Sequence, residues 1–148
     1  MNALKVIFLT VIFTLSSCTK ETERVIQQND RLNSLYGSHS DYRSFFEKLK
    51  RNIKEGRKEV VADMVDYPVM INMKGQRIKI NNKDEFVHSY DVIINKKTEK
   101  EVENQKYEDL FARDTGIMTG KSGEIWFGRI CKDRECKKSE IKVIAINN

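Results

Sequence analysis

Little in this sequence matches the residue patterns that build most catalytic and metal-binding sites. Its 148 residues include only two histidines, His39 and His88, which stand far apart, so no zinc-binding spacing is present. The sequence also lacks a nucleophile elbow, a dinucleotide-binding fingerprint and a phosphate-binding glycine loop, since Gly120 and Gly123 are spaced as in a hairpin turn. We therefore predict no metal ion, no cofactor and no enzymatic activity.

The charges show no sign of a nucleic-acid-binding surface. The formal net charge is +5, but basic and acidic residues are interspersed along the chain. Glutamates stand near both Lys48-Leu49-Lys50-Arg51 and Lys96-Lys97, and no basic stripe is interleaved with aromatic residues. This pattern favours a solvated, mildly basic surface. The alternative is a weak attraction to anionic lipid, peptidoglycan or an acidic protein.

No apolar run in the sequence has the roughly 20 residues that a membrane-spanning helix needs. The run in residues 6–15 follows Lys5 and has the length of a signal-peptide core. It ends in Leu15-Ser16-Ser17-Cys18, which resembles the bacterial lipobox: an aliphatic residue, two small residues and the cysteine that receives diacylglycerol. The resemblance implies that residues 1–17 are a signal peptide and that Cys18 becomes a lipidated N-terminus. The alternatives are an ordinary cleaved signal, or an anchor helix with a chance cysteine.

The lipobox resemblance also implies a location and a domain layout. In Gram-negative lipoproteins an aspartate after the lipidated cysteine favours the inner membrane, and this chain has Thr19 there. We therefore expect an outer-membrane lipoprotein that faces the periplasm, anchored by its acyl chains and not spanning the membrane. Residues 18–40 are mostly polar and are predicted to be a tether. Residues 41–148 then form one globular domain.

The two remaining cysteines, Cys131 and Cys136, predict a disulfide. A lone nearby pair in an oxidising compartment forms a bridge more readily than a metal site. Four charged residues lie between the cysteines and are predicted to form the tip of a β-hairpin, exposed and available to a protein partner: Lys132, Asp133, Arg134 and Glu135.

The apolar pattern predicts an α+β domain in which N-terminal helices pack on a curved antiparallel sheet. Phe45, Phe46, Phe86 and Trp126 are predicted to be buried together. Asn82 with Glu85 and Thr98 with Glu101 are predicted to cap two of the helices. The predicted helices are 42–53, 58–66, 82–94 and 98–105, and the predicted strands are 69–73, 77–80, 110–113, 116–119, 124–130 and 141–146.

Several passages of this domain resemble a group of small proteobacterial envelope proteins. The resemblance covers about residues 41–148 and implies a cone-shaped fold like that of the nuclear transport factor two superfamily, or a cystatin-like relative of it. It implies a fold and almost nothing about activity. The passages are Val65-Asp66-Tyr67-Pro68-Val69, Asn82-Lys83-Asp84-Glu85-Phe86 with Tyr90-Asp91, Gly116-Ile117-Met118-Thr119-Gly120, Gly123-Glu124-Ile125-Trp126-Phe127 and Ile141-Lys142-Val143-Ile144-Ala145-Ile146.

Three functional hypotheses follow. The first is a non-enzymatic module that binds another envelope protein, either as a housekeeping factor or as an inhibitor or immunity protein, with no nucleic-acid partner. The second is a small-ligand-binding or enzymatic domain with a pocket in the cone lined by His88, Tyr90 and Trp126. His88 and Asp91 could form an acid–base pair, but their spacing is also that of an ordinary contact on a helix surface. A purely structural role at the cell wall is a third reading.

Overall fold

The chain is described by a computed structural model that covers residues 3–148, with side chains from Cys18 onward. The side chains of the predicted signal peptide, including Leu15, Ser16 and Ser17, therefore lie outside the described residues. In the described part of the chain, none of the helices combines the length and the apolar composition that a membrane span requires.

Six α-helices and six strands make up the part of the chain that the structure describes. The helices are α1 (Ala3–Tyr36), α2 (His39–Lys54), α3 (Lys58–Asp63), α4 (Lys83–His88), α5 (Tyr90–Ile93) and α6 (Lys96–Asn104). The strands are β1 (Val65–Met73), β2 (Gln76–Ile80), β3 (Phe111–Arg113), β4 (Gly116–Thr119), β5 (Ile125–Cys131) and β6 (Ser139–Asn147). A single 3₁₀ turn, Tyr107–Asp109, leads into β3.

The strands form one open sheet in the order β2-β1-β6-β5-β4-β3. All neighbours pair antiparallel except β1 and β6, which are parallel. The ladder has register shifts between Val65 and Met70 on β1 and between Trp126 and Phe127 on β5. The α+β prediction, with helices packed on a mostly antiparallel sheet, is confirmed. Membership of the nuclear transport factor two superfamily stays a prediction.

The core lies between the helices and one face of the sheet. Helix α2 buries Tyr42, Phe46, Leu49 and Ile53, which recur at the helical spacing seen in the sequence. Phe45 is only partly buried and packs on Phe127 with ring centroids 5.2 Å apart. Phe86 of α4 and Phe127 of β5 are fully buried as well, and Tyr90 and Tyr107 are also in the core.

Trp126 was predicted to lie in the core, and this is wrong. Adjacent residues of a strand point to opposite faces of the sheet, and Phe127 takes the inward position on β5. Trp126 is half-buried on the other face, where its ring meets the edge of Phe111 at 6.4 Å.

Local signals in the sequence account for some helix boundaries and not for others. Asn82 caps α4 as predicted, because its side chain accepts a hydrogen bond from the backbone N–H of Glu85 at 3.0 Å. The cap of α6 is Asn95, whose side chain accepts from the backbone N–H of Lys97 and Thr98, so Thr98 lies inside the helix and is buried. Helix α3 ends earlier than predicted because Val65 pairs with Val143 of β6.

The prediction differs most from the structure in residues 18–40, which were predicted to be a tether. Residues 18–36 continue helix α1, and the face formed by Val25, Gln28, Leu32 and Tyr36 packs against α2, the 3₁₀ turn and the edge strand β3. Leu32 has no exposed surface, and the buried Gln28 side chain donates a hydrogen bond to the carbonyl of Leu110. Because these four residues recur at helical spacing, their side chains meet the same surface, whereas Ile26 and Leu35 of the same helix stay exposed. The second half of the segment therefore belongs to the folded domain.

Candidate functional site

The predicted disulfide is present at the turn that joins β5 to β6. Cys131 and Cys136 are bonded, with their Cα atoms 4.7 Å apart. Below the bridge, β5 and β6 pair over seven positions, from Ile125 with Ile146 to Cys131 with Ser139. Residues 131–138, which we name the hairpin tip, are exposed apart from the half-buried Asp133. A disulfide is the pairing expected in an oxidising compartment outside the cytoplasm.

Hydrogen bonds to the Asp133 side chain also order the hairpin tip. The Asp133 carboxylate accepts hydrogen bonds from the backbone N–H of Glu135 at 3.1 Å, of Lys137 at 2.9 Å and of Lys138 at 2.7 Å. These backbone donors, Lys137 first, hold the pKa of Asp133 below the ordinary value of an aspartate. Asp133 was predicted to be available to a partner, but the structure shows it organising the loop.

The other predicted contact residues of the hairpin tip differ in how much of their charge is already paired. Glu135 forms an ion pair with Lys137 within the loop. Lys132 Nζ lies 3.6 Å from Glu140 Oε2, so this exposed ion pair is weak. Arg134 makes no ion pair within the described residues. The tip therefore presents basic groups, with Arg134 at its centre.

An open groove lies beside the base of this hairpin. It has a volume of about 510 Å³ and runs between α2 and the first residues of β6; we name it the α2 groove. Apolar atoms come from Phe45, Met64 and Ile141, and the charged groups around them are balanced in sign: Asp41, Asp63 and Glu140 against Lys48, Arg129 and Lys142. Such a surface suits a protein partner that brings a similar mixture of apolar and charged side chains.

Stacked tyrosines support the wall of the α2 groove. Tyr36 at the end of α1 stacks on Tyr42 of α2 with ring centroids 4.4 Å apart. Arg129 donates a hydrogen bond to the carbonyl of Tyr36 at 3.3 Å. Burial raises the pKa of the Tyr42 hydroxyl, while the neighbouring Arg129 guanidinium acts in the opposite direction. The tyrosine therefore stays neutral at physiological pH and serves as packing.

The residues predicted to share a pocket lie apart. His88 is exposed at the end of α4, and Trp126 is on β5. Tyr90 lines a separate pocket of about 430 Å³, and burial raises its pKa to about 12, with Glu99 and Asp91 adding to the rise. Of four surface pockets on the described part of the chain, only this one is lined by any of the three.

Asp91, the suggested acid–base partner of His88, forms an ion pair with a lysine. The carboxylate of Asp91 pairs with Lys58, whose Nζ lies 2.6 Å from Asp91 Oδ2. Among the residues with described side chains, no group of three or more His, Cys, Asp and Glu residues could hold a metal ion.

Glu124 is a buried carboxylate that the sequence did not single out. Only 1% of the residue is exposed, and its Oε2 accepts a hydrogen bond from the backbone N–H of Ser122 at 2.9 Å. Lys97 Nζ lies 3.6 Å from the other oxygen, Oε1. The glycine turn of residues 120–123 folds over the carboxylate, which gives Glu124 a role in the turn. An acidic residue in front of a strand is a common surface pattern, so nothing in the sequence marks it as buried.

Protonation of Asp133 should loosen the hairpin tip. The folded pKa is depressed, so the stabilising effect is complete above the ordinary aspartate pKa of about 4 and is lost as the pH falls through the lower folded value. Amide exchange of Glu135, Lys137 and Lys138, corrected for its intrinsic pH dependence, should stay slow at pH 5 and accelerate well below pH 4. Asp133→Asn should show fast exchange at these amides at both pH values, and unchanged protection in that variant would contradict the assignment.

Removing the disulfide should cost about 2 kcal/mol of unfolding free energy, because the bridge closes a short loop of the unfolded chain. Urea unfolding of the oxidised chain should shift to a lower midpoint in Cys131→Ser/Cys136→Ser. Reductant should have the same effect on the native chain and none on the double variant. Equal midpoints for all samples would show that the bridge contributes no stability.

Comparisons with protein-family models, with curated proteins and with solved structures give no match for this chain.

Proposed function

We propose that this protein is a lipid-anchored, non-enzymatic binding module of the bacterial envelope that holds another protein through the hairpin tip and the α2 groove. The observation that carries the proposal is the double restraint on an exposed, charged loop. A disulfide closes its ends, and the Asp133 carboxylate binds three backbone N–H groups inside it. A loop ordered before binding loses less conformational entropy when a partner engages it.

The surroundings of the hairpin tip support a protein as the ligand. The α2 groove beside it is open and mixes apolar atoms with charges of both signs, whereas small-ligand sites are enclosed and mainly apolar. A projecting basic loop next to a groove can also enter the cleft of an enzyme. An inhibitor or immunity protein is the version of the proposal in which the partner is an incoming toxin or hydrolase.

A photo-crosslinking amino acid at position 134 tests the binding surface in cells. We expect a crosslinked protein partner at this position and none when the same group replaces Lys100, which is exposed on α6 outside the hairpin tip and the groove. The crosslink should disappear when Cys131 and Cys136 are replaced by serine. The proposed surface is wrong if position 100 captures the same partner as position 134.

The lipid anchor is the part of the proposal that rests on the lipobox resemblance. The mature protein should begin at Cys18, carry diacylglycerol on its thiol and sediment with the outer-membrane fraction. Its folded domain should face the periplasm. Mass spectrometry of the mature N-terminus measures this directly, and Cys18→Ser should release the protein from the membrane fraction. A free thiol at Cys18, or a mature chain that begins elsewhere, would overturn the assignment.

The resemblance to nuclear transport factor two-like envelope proteins is part of the same proposal. Helices on one face of a six-stranded, mostly antiparallel sheet support it. In this reading the interior of the cone is filled by the aromatic core, with Phe46, Phe86 and Phe127 fully buried, and binding takes place on the outer surface of the fold.

A further inference from the structure

We infer that residues 18–36 of α1 form a rigid stalk that fixes the domain with its hairpin tip pointing away from the anchoring membrane. The inference rests on the proposed lipid at Cys18 for its membrane part and on the helix contacts for its rigidity. It deepens the proposed function because it states from which side a partner reaches the binding surface.

The contacts of α1 with strand β3 carry the first step. Gln28 Nε2 donates to the carbonyl of Leu110 at 3.0 Å, Arg31 donates to the carbonyl of Ala112 at 2.5 Å, and the Tyr36 hydroxyl donates to the carbonyl of Arg113. β3 is the last strand of the sheet, so its outer backbone groups have no strand partner. Side chains of the helix satisfy these carbonyls, and the helix is thereby aligned along the strand.

Further contacts hold the same helix face. Leu32 is fully buried between the hydrogen-bonding residues, and Asn29 accepts a hydrogen bond from the Tyr107 hydroxyl at 2.8 Å. Closer to the N-terminus of the helix, Arg24 pairs with Asp109, and Glu21 lies 3.4 Å from Lys106. The attachment therefore begins about one helical turn after Cys18.

The helix between Cys18 and Tyr36 lacks the residues that usually kink a helix. It contains neither glycine nor proline, and the structure has it as one uninterrupted helix. At about 1.5 Å per residue, Tyr36 lies about 27 Å along the axis from Cys18. A polar tether of the same residues would allow the domain to approach the membrane in any orientation.

The direction of the strands places the hairpin tip at the far end of this axis. Successive contacts from Gln28 to Tyr36 follow the chain from Leu110, just before β3, to Arg113 at its end, so helix and strand run the same way. β3 and β5 are both antiparallel to β4 and therefore parallel to each other in direction. β5 thus leads from the membrane-proximal end toward the hairpin tip, passing Tyr36 at Arg129.

This orientation selects the kind of partner. The anchor and the hairpin tip are on opposite ends of the domain, separated by more than the length of α1 from Cys18 to Tyr36. The tip and the α2 groove beside it face the aqueous compartment. We therefore assign them to a water-soluble protein that approaches from the compartment, and not to a protein embedded in the anchoring membrane.

Rigidity can be measured without the lipid. Spin labels on the exposed Cys18 and on a non-canonical, thiol-free amino acid at position 134, in the full unlipidated chain, should give one narrow distance distribution centred beyond about 27 Å. Gln28→Ala/Arg31→Ala should broaden it, whereas Gln27→Ala on the exposed side of the same helix should not. A broad distance distribution in the labelled chain without the alanine substitutions would overturn the rigid stalk, whether or not Cys18 carries a lipid in cells.

Orientation is measured on the lipidated protein in phosphatidylcholine vesicles with nitroxide-labelled headgroups. A fluorophore at position 106, near Glu21, should be strongly quenched, and one at position 134 should keep its unquenched intensity. Equal quenching at both positions, or stronger quenching at 134, would overturn the orientation. Failure of the protein to float with the vesicles would instead reject the lipid anchor of the proposed function, while the spin-label distances still decide the stalk.

Discussion

Replacing Leu32 by alanine is expected to lower the free energy of unfolding by about 3 kcal/mol, the cost of truncating a fully buried leucine. The residue sits in a segment that the sequence predicts to be a polar tether, yet none of its surface is exposed. Removing its side chain leaves a cavity between α1 and the sheet that the two elements cannot fill. Urea unfolding monitored by Trp126 fluorescence measures the change, because the tryptophan is half-buried on the sheet.

A neighbouring leucine provides the matched control. Leu35 is on the same helix with 40% of its surface exposed, so Leu35→Ala should change the unfolding free energy by less than about 0.5 kcal/mol. If Leu32→Ala had an effect as small as that of Leu35→Ala, α1 would not be packed on the domain. The stalk would then have to be abandoned together with the packing.

Replacing Gly120 by alanine is the second large effect, also about 3 kcal/mol of destabilisation. Gly120 has φ of +85°, a backbone conformation that strains an alanine. A Cβ at this position would also overlap Glu124 Oε2 and lie 3.0 Å from the Glu124 Cβ. The buried carboxylate cannot move away without losing its hydrogen bond from Ser122.

Two further variants separate the causes of the Gly120 effect. Gly75 has a similar φ of +79° but no atom within 4 Å of a Cβ, so Gly75→Ala should show the backbone strain alone, about 1 kcal/mol. Glu124→Ala removes most of the overlapping atoms, so Gly120→Ala should cost less in that background than in the native chain. Equal costs in both backgrounds would show that the clash with Glu124 does not determine the effect.

The hairpin tip is the part of the candidate site that the sequence predicted best. Two cysteines separated by four charged residues indicate a clamped turn, because the bridge, the loop and the charges are all local in sequence. The role of Asp133 was not predictable in the same way. Whether its carboxylate meets solvent or three backbone N–H groups depends on the turn geometry, in which Cys136 adopts a φ of +55°.

The predicted pocket shows the limit of reasoning from sequence about distant residues. His88 and Tyr90 were associated with Trp126 because cone-shaped folds bring such residues together, but the association needs the sheet register and the position of the helices. The register turns Trp126 to the outer face, and Tyr90 packs on Phe86 with ring centroids 6.1 Å apart.

The sequence by itself determined the class of the fold, most strand positions, the cap of α4 at Asn82 and the disulfide-closed hairpin, because each depends on neighbours along the chain. Only the tertiary structure decided that residues 25–36 belong to the folded domain and that Glu124 is buried. The part of α1 from Cys18 onward is mostly polar and shows little hydrophobic signal of its own. It gains its place because Gln28, Arg31 and Tyr36 donate hydrogen bonds to carbonyl groups at the open edge of the sheet, a match that only the folded arrangement creates.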